Sequence, residues 1–119
     1  MRHIEETTQV ECVKWFTLQY RKFALLLHHS PNGGFRNPRE AHRFKLMGTR
    51  AGFPDLVLLI PSGGYHALFL EFKSPKGRQQ PTQKEYQKAV EAQGYKYVVV
   101  RSVIEFVKEI TKYLRGDKE

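Results

Sequence analysis

The chain has 119 residues, 20 Lys plus Arg against 12 Asp plus Glu, a formal net charge of +8 and 40% hydrophobic residues, which makes one domain able to fill a core and excludes intrinsic disorder. Its single cysteine, Cys12, excludes an intrachain disulfide framework and a Cys-pair zinc site; no apolar run approaches the roughly 20 residues that span a bilayer, and the N-terminus lacks the apolar stretch of a signal peptide, so a cytoplasmic location is expected. The surplus of positive charge points to a polyanionic partner, and by itself leaves ribosomal proteins, repressors and nucleases equally open.

No repeat, low-complexity tract or linker divides residues 1–119, which read as a single domain. From about Ile4 to Leu27, Val10, Val13, Phe16, Tyr20 and Phe23 recur at spacings of three and four and predict an amphipathic helix. Stepping back in fours from Val13 brings Gln9 and Glu5 to the inward side, and stepping back from Val10 reaches Glu6. Glu5 is the preferred inward acid, with Glu6 its rival. Trp15, Phe16 and Tyr20 read as core or dimer-surface aromatics. His28 and His29 lack ligand spacing, so zinc is not expected. Pro31-Asn32-Gly33-Gly34 ends the helix in a turn. Arg36, Arg39, Arg43, Lys45 and Arg50 follow, with Glu40 the one acid among them, as the densest basic patch and a candidate DNA track.

Leu56 to Ile60, closed by Pro61 and a Ser62-Gly63-Gly64 turn, and Tyr65 to Lys73 predict a hairpin. In its second strand Leu68, Leu70 and Phe72 alternate with Phe69, Glu71 and Lys73, so Glu71 and Lys73 share a face, and Asp55 opens the partner strand beside them. Lys76 and Arg78 flank Gly77 in the polar loop that follows and are further candidates for phosphate contact. Thr82 and Glu85 read as a capping box for a helix from about Gln83 to Gln93. Tyr95 to Arg101 is a buried-type strand. Ser102 with Glu105 caps a last helix, whose stripe is Val103, Val107, Ile110 and Leu114. This order implies an α/β fold, a mixed sheet with helices on its faces.

Asp55 is one of only two aspartates, the other being Asp117 in the polar tail. Phosphodiester hydrolysis needs charge neutralisation, an activated water and a stabilised leaving oxygen. Two carboxylates converging from adjacent strands make a hard oxygen site suited to Mg2+ or Mn2+. Lys73, two residues beyond Glu71, is placed to orient or help deprotonate the attacking water. The bland reading makes Asp55 a turn residue and Glu71 with Lys73 an exposed ion pair worth under about 1 kcal/mol.

With Glu5 and Gln9, Pro31-Asn32-Gly33-Gly34, the Gly48 to Gly52 approach, Pro54-Asp55, Glu71-Phe72-Lys73 and Gln83 in this order, the sequence resembles the PD-(D/E)XK nuclease superfamily over nearly its whole length. Within it the sequence resembles the VRR-NUC family of virus-type replication-repair nucleases. The resemblance implies a restriction-endonuclease-like fold, a central mixed β-sheet flanked by α-helices, and a Mg2+- or Mn2+-dependent DNA endonuclease. It implies Asp55, Glu71 and the backbone carbonyl of Phe72 as metal ligands and Lys73 as assistant to the nucleophile. Glu5 then supports the metal or its water shell, and Gln83 holds substrate or the catalytic groups. It also implies a small stand-alone protein of the phage and bacterial kind that cuts branched DNA such as four-way junctions. Two matched cuts at a junction make a homodimer the simplest arrangement. No membrane and no small-molecule cofactor are expected. The competing readings are a non-catalytic nucleic-acid-binding module and a small RNA-directed or ribosomal protein.

Overall fold

The computed structural model describes residues 2–31 and 37–117. Asn32, Gly33, Gly34 and Arg36 lie outside the described residues.

Helix α1 runs Arg2–Gln19. Glu5, Gln9, Cys12 and Phe16, at helical spacing, form its inward line, with Cys12 and Phe16 fully buried. Burial pushes the Cys12 thiol up to about 12, which leaves it a protonated core side chain. Val10, expected on that line, is 52% exposed, because the seam against the sheet is centred on Cys12 and Phe16. The helix does not reach Leu27. Tyr20 leaves the helical region at φ −125° and ψ 63°, and Arg21–Leu26 form a 3-10 turn. Strand β1, Leu27–His29, then pairs antiparallel with strand β2, Leu56–Leu58. The expected single helix ends early because a pairing with a distant strand outweighs local propensity.

Helix α2, Pro38–Leu46, has Pro38 in its first turn, and Asn37 Oδ1 accepts the Glu40 N–H at 2.7 Å. No residue of α2 is buried. Strand β3, Leu68–Phe72, pairs antiparallel with β2, as the predicted hairpin requires. The hairpin strands are shorter than expected at the turn, where Leu59 is exposed and Ser62 bridges Tyr65.

Helix α3, Pro81–Ala92, crosses over to strand β4, Lys96–Val100, which lies parallel to β3 and completes the order β1-β2-β3-β4. Its cap differs from the expected one. Pro81 opens the helix, and the Gln83 carboxamide oxygen accepts the Gln80 N–H at 2.7 Å, so Thr82 is already inside the first turn. Helix α4, Val103–Arg115, begins as expected, with Ser102 Oγ accepting the Glu105 N–H at 3.1 Å. Its buried line is Phe106, Ile110 and Tyr113, with Val103 and Leu114 packed beside it, so Val107 lies off the centre of the stripe.

Strand alternation divides the interior into two cores. Leu56, Leu58, Leu68, Leu70 and Phe72 face α1 and α4, while Val57, Phe69 and Tyr97 lie on the opposite face. The loop entering β2 is tied to the start of α3 at Gly52. With φ +87°, its missing Cβ would lie 2.2 Å from the Thr82 carbonyl oxygen, so only glycine allows this approach.

Candidate active site

The β2–β3 register pairs Leu56 with Leu70, and one more step places Asp55 opposite Glu71 on the face away from α1 and α4. Asp55 Oδ2 accepts the Phe72 N–H at 2.7 Å. A strand residue sends its N–H and C=O to the same side, so the Phe72 carbonyl also leaves toward the Asp55 side. The Lys73 N–H goes the other way, to Val100 O at 3.0 Å.

Glu71 is 0% exposed. Its Oε1 accepts from Gln79 Nε2 at 3.0 Å and from the Tyr97 hydroxyl at 2.5 Å. Its Oε2 has no hydrogen-bond donor among the described residues and faces Lys73 Nζ at 3.5 Å. Gln79 is itself held by Gln87 Oε1 at 2.8 Å, and Gln87 by Glu91 at 3.0 Å, so α3 fixes the carboxamide that grips Glu71. Burial, then the bond to Glu71, raises the Tyr97 hydroxyl above its ordinary pKa and keeps it a donor.

Glu5 Oε2 accepts the Ser74 N–H at 3.2 Å, whereas Glu6 lies on the exposed side of α1. The inward line of α1 thus brings Glu5 to the end of β3. Burial raises the Asp55 carboxyl above the ordinary range; the Phe72 N–H and His29 oppose this, while Glu71 and Glu5 add to it. Asp55 therefore feels the charge of two other carboxylates. His29 Nδ1 sits 2.7 Å from the Asp55 carbonyl oxygen and 3.1 Å from Gln9 Nε2. Since a carbonyl only accepts, the Asp55 contact places a proton on Nδ1, and that nitrogen then accepts no hydrogen bond from Gln9.

Of the remaining expected residues, Gln83 is engaged elsewhere. Its oxygen caps α3, and Gln79, four residues earlier, is the glutamine that reaches Glu71. Arg39, Arg43 and Lys45 are exposed on α2, Arg50 is exposed beyond it, and Lys76 and Arg78 are exposed after β3. Arg50 Nη1 donates to Lys45 O at 3.4 Å. Sequence patterns do not single out Gln79, Tyr97 or Arg101. The Arg101 guanidinium donates to the Ser74 and Gly77 carbonyls, each at 2.7 Å, and so fixes the loop after Lys73.

Among the described residues, no group of three or more His, Cys, Asp or Glu side chains is gathered tightly enough to hold a metal ion by itself. The donors at this end are two cross-strand carboxylates, one with a buried oxygen lacking a donor, and a strand-end carbonyl. This set fits Mg2+ or Mn2+, which take one or two carboxylates and retain several waters, better than a metal that needs a full protein cage.

Among the described residues, no helix is long and apolar enough to cross a membrane. The VRR-NUC domain model matches residues 2–104. A solved structure described as a VRR_NUC domain protein superposes with a TM-score of 0.84 at 31% identity, covering 97% of this chain and 91% of that one. No curated protein matches the chain. A mixed four-stranded sheet with acids at one end, flanking helices and these two matches agree: the chain belongs to the VRR-NUC family, with a PD-(D/E)XK-like fold and a nuclease-type function.

Proposed function

We propose that the protein is a metal-dependent DNA endonuclease that acts on branched DNA such as four-way junctions and works as a homodimer. The observation that carries the catalytic reading is Glu71: a fully buried carboxylate with one oxygen held by two donors and the other facing Lys73 with no hydrogen bond among the described residues, directly across from Asp55. Burying a carboxylate with one oxygen lacking a hydrogen bond is costly, and a cation bound at that oxygen would offset the cost.

In this reading Asp55, Glu71 and the Phe72 carbonyl hold Mg2+ or Mn2+, with Glu5 in support; the bound ion supplies charge neutralisation and a more acidic water. Tyr97 and Gln79 fix Oε1 of Glu71, which leaves Oε2 directed at Lys73. The Lys73 ammonium orients the attacking water and offsets charge on the phosphate. The Phe72 N–H orients Asp55, and His29 fixes the backbone from which Asp55 projects. Arg39, Arg43, Lys45 and Arg50 before the acids in sequence, with Lys76 and Arg78 after them, guide the phosphate backbone. Arg36 belongs to the same stretch of sequence. Gln83 acts through the start of α3. Matched cuts on two strands favour a two-fold pair, and the exposed Leu18 and Leu25 provide apolar surface for it.

The test is cleavage of a labelled four-way junction with Mn2+ or with EDTA, beside Asp55→Ala and Glu71→Ala. Cutting is expected only in the wild-type lane with metal; equal results in every lane, with binding retained, would leave a non-catalytic binding module. Sedimentation of the protein with and without junction DNA tests the pair, and a monomer throughout would remove it.

A further inference from the structure

A cavity of about 300 Å³ opens between the end of β1, the loop entering β2 and α3, and its lining includes Ser30, Thr49, Arg50, Phe53 and Tyr86. Two of its lining residues are close in sequence to the residues that hold Asp55. Ser30 follows His29, which contacts the Asp55 carbonyl, and Phe53 lies two residues before Asp55. A second hollow of about 440 Å³ lies along α3, where Arg50 and Tyr86 recur with Thr82 and Ala89. The Tyr86 side chain thus borders both, with Arg50 at the rim of each.

The lining is not that of an ordinary packing fault. The Tyr86 ring stands on Phe53 at 5.3 Å between centroids, and its hydroxyl makes no hydrogen bond among the described residues. Arg50 is exposed and continues the line of cations from α2. The Gly52 approach to Thr82 holds the loop against α3, so both walls are preset. An aromatic face beside a guanidinium suits one heterocycle with a phosphate attached, and the volume lies at the small end of ligand sites, about 300–1,000 Å³.

We propose that this cavity receives one unpaired nucleobase of the DNA, adjacent to the phosphate at Asp55 and Glu71, stacking on Tyr86 while Arg50 contacts the adjoining phosphate. The proposal rests on the nuclease reading and adds to it a substrate class: DNA with an unpaired nucleotide beside the cut, as at a bulge, flap or open junction. A paired base cannot enter, because its ring faces are taken by its stacking neighbours. The selectivity for branched DNA then has a local cause in addition to any overall shape.

The test measures binding rather than turnover, using Asp55→Asn in EDTA so that no strand is cut. Duplexes with and without one unpaired 2-aminopurine are titrated against this variant, alone and combined with Tyr86→Leu or Tyr86→Phe, after melting curves confirm folding. Stacking of one base on an aromatic ring predicts about 10-fold tighter binding of the bulged DNA and a change in 2-aminopurine emission. Tyr86→Leu is expected to reduce the preference to within about twofold and abolish the emission change, whereas Tyr86→Phe retains both. Equal affinity for bulged and paired DNA, or an unchanged preference in Tyr86→Leu, overturns the proposal. Should wild-type protein cut no DNA with any divalent metal while these binding differences persist, the base site stands and the nuclease reading fails. Cleavage without the binding difference refutes the base site alone.

Discussion

The same strands make both faces of the sheet, and the two faces have diverged in purpose. Toward α1 and α4, the strand positions Leu56, Leu58, Leu68, Leu70, Phe72 and Val100 are apolar and at most 2% exposed. On the other face Val57, Phe69 and Tyr97 begin the same kind of packing, and then Glu71 and Lys73 replace apolar residues at the strand end. The covering helices differ in step: α4 buries Phe106, Ile110 and Tyr113, whereas α3 buries none of its residues fully. A face sealed by two helices can carry the fold, which frees the opposite face to hold charged groups at its strand end.

That contrast can be broken most sharply at the acids. Glu71→Gln is expected to lower junction cleavage by a factor on the order of 10³ or more, the scale of losing a group that acts on transition-state charge, while leaving the melting temperature unchanged or higher. A melting temperature as low as that of a core variant would erase the distinction between the faces. Leu70→Ala, one residue away on the opposite face, should behave inversely. It is expected to cost about 2–5 kcal/mol in urea unfolding, with cleavage per folded molecule retained. Lys73→Met is expected to remove turnover while titration calorimetry still detects the divalent ion, and undiminished cutting would remove the lysine from the mechanism.

A finer test is Tyr97→Phe, which deletes one donor to Glu71 Oε1 and keeps the ring that packs against Phe69. Supporting groups of this kind typically alter metal affinity about 10- to 100-fold, so calorimetry with Mn2+ should show weakened binding in a protein that still folds. Unaltered affinity would make Tyr97 a packing residue only. The smallest expected effect concerns pH. Because the folded state raises the Asp55 pKa, the folded chain binds that proton more tightly than the unfolded chain does. The stabilisation from this proton is fully present below the ordinary carboxylate value of 3.8 and is lost as pH rises through the folded value. The metal-free melting temperature of wild type should therefore fall relative to Asp55→Asn as pH rises across that window. Parallel pH profiles would contradict the assigned burial.

Asp55, Glu71 and Lys73 are legible in the sequence because a period of two assigns faces and the Pro61 to Gly64 turn folds one strand onto the other. Strand β1 is not: Leu25, Leu26 and Leu27 suit a helix as well as a strand, and Leu56–Leu58, far along the chain, decides the matter. The helix acid is half-legible. Counting in fours favours Glu5, and only the position of Cys12 on the seam separates it from Glu6. Gln79 is hidden among Gln80 and Gln83, which are chemically alike, and its role depends on where α3 starts, a point settled by Pro81. Tyr97 reads as one more aromatic in an apolar strand until Glu71 is seen on the same face.

The Arg101 clasp bears on how the charge of this protein is to be counted. Its guanidinium is engaged by Ser74 and Gly77 carbonyls, so it is a structural cation rather than a site for displacing counterions. The candidates for phosphate contact, Arg39, Arg43, Lys45, Arg50, Lys76 and Arg78, are by contrast all exposed. If all six met phosphates, the slope of log affinity against log salt would be about −5. Neutralising Arg101 should leave that slope in place while loosening the loop that carries Lys76. Formal net charge and ion release thus measure different things in this chain, and the difference is written in two carbonyl contacts.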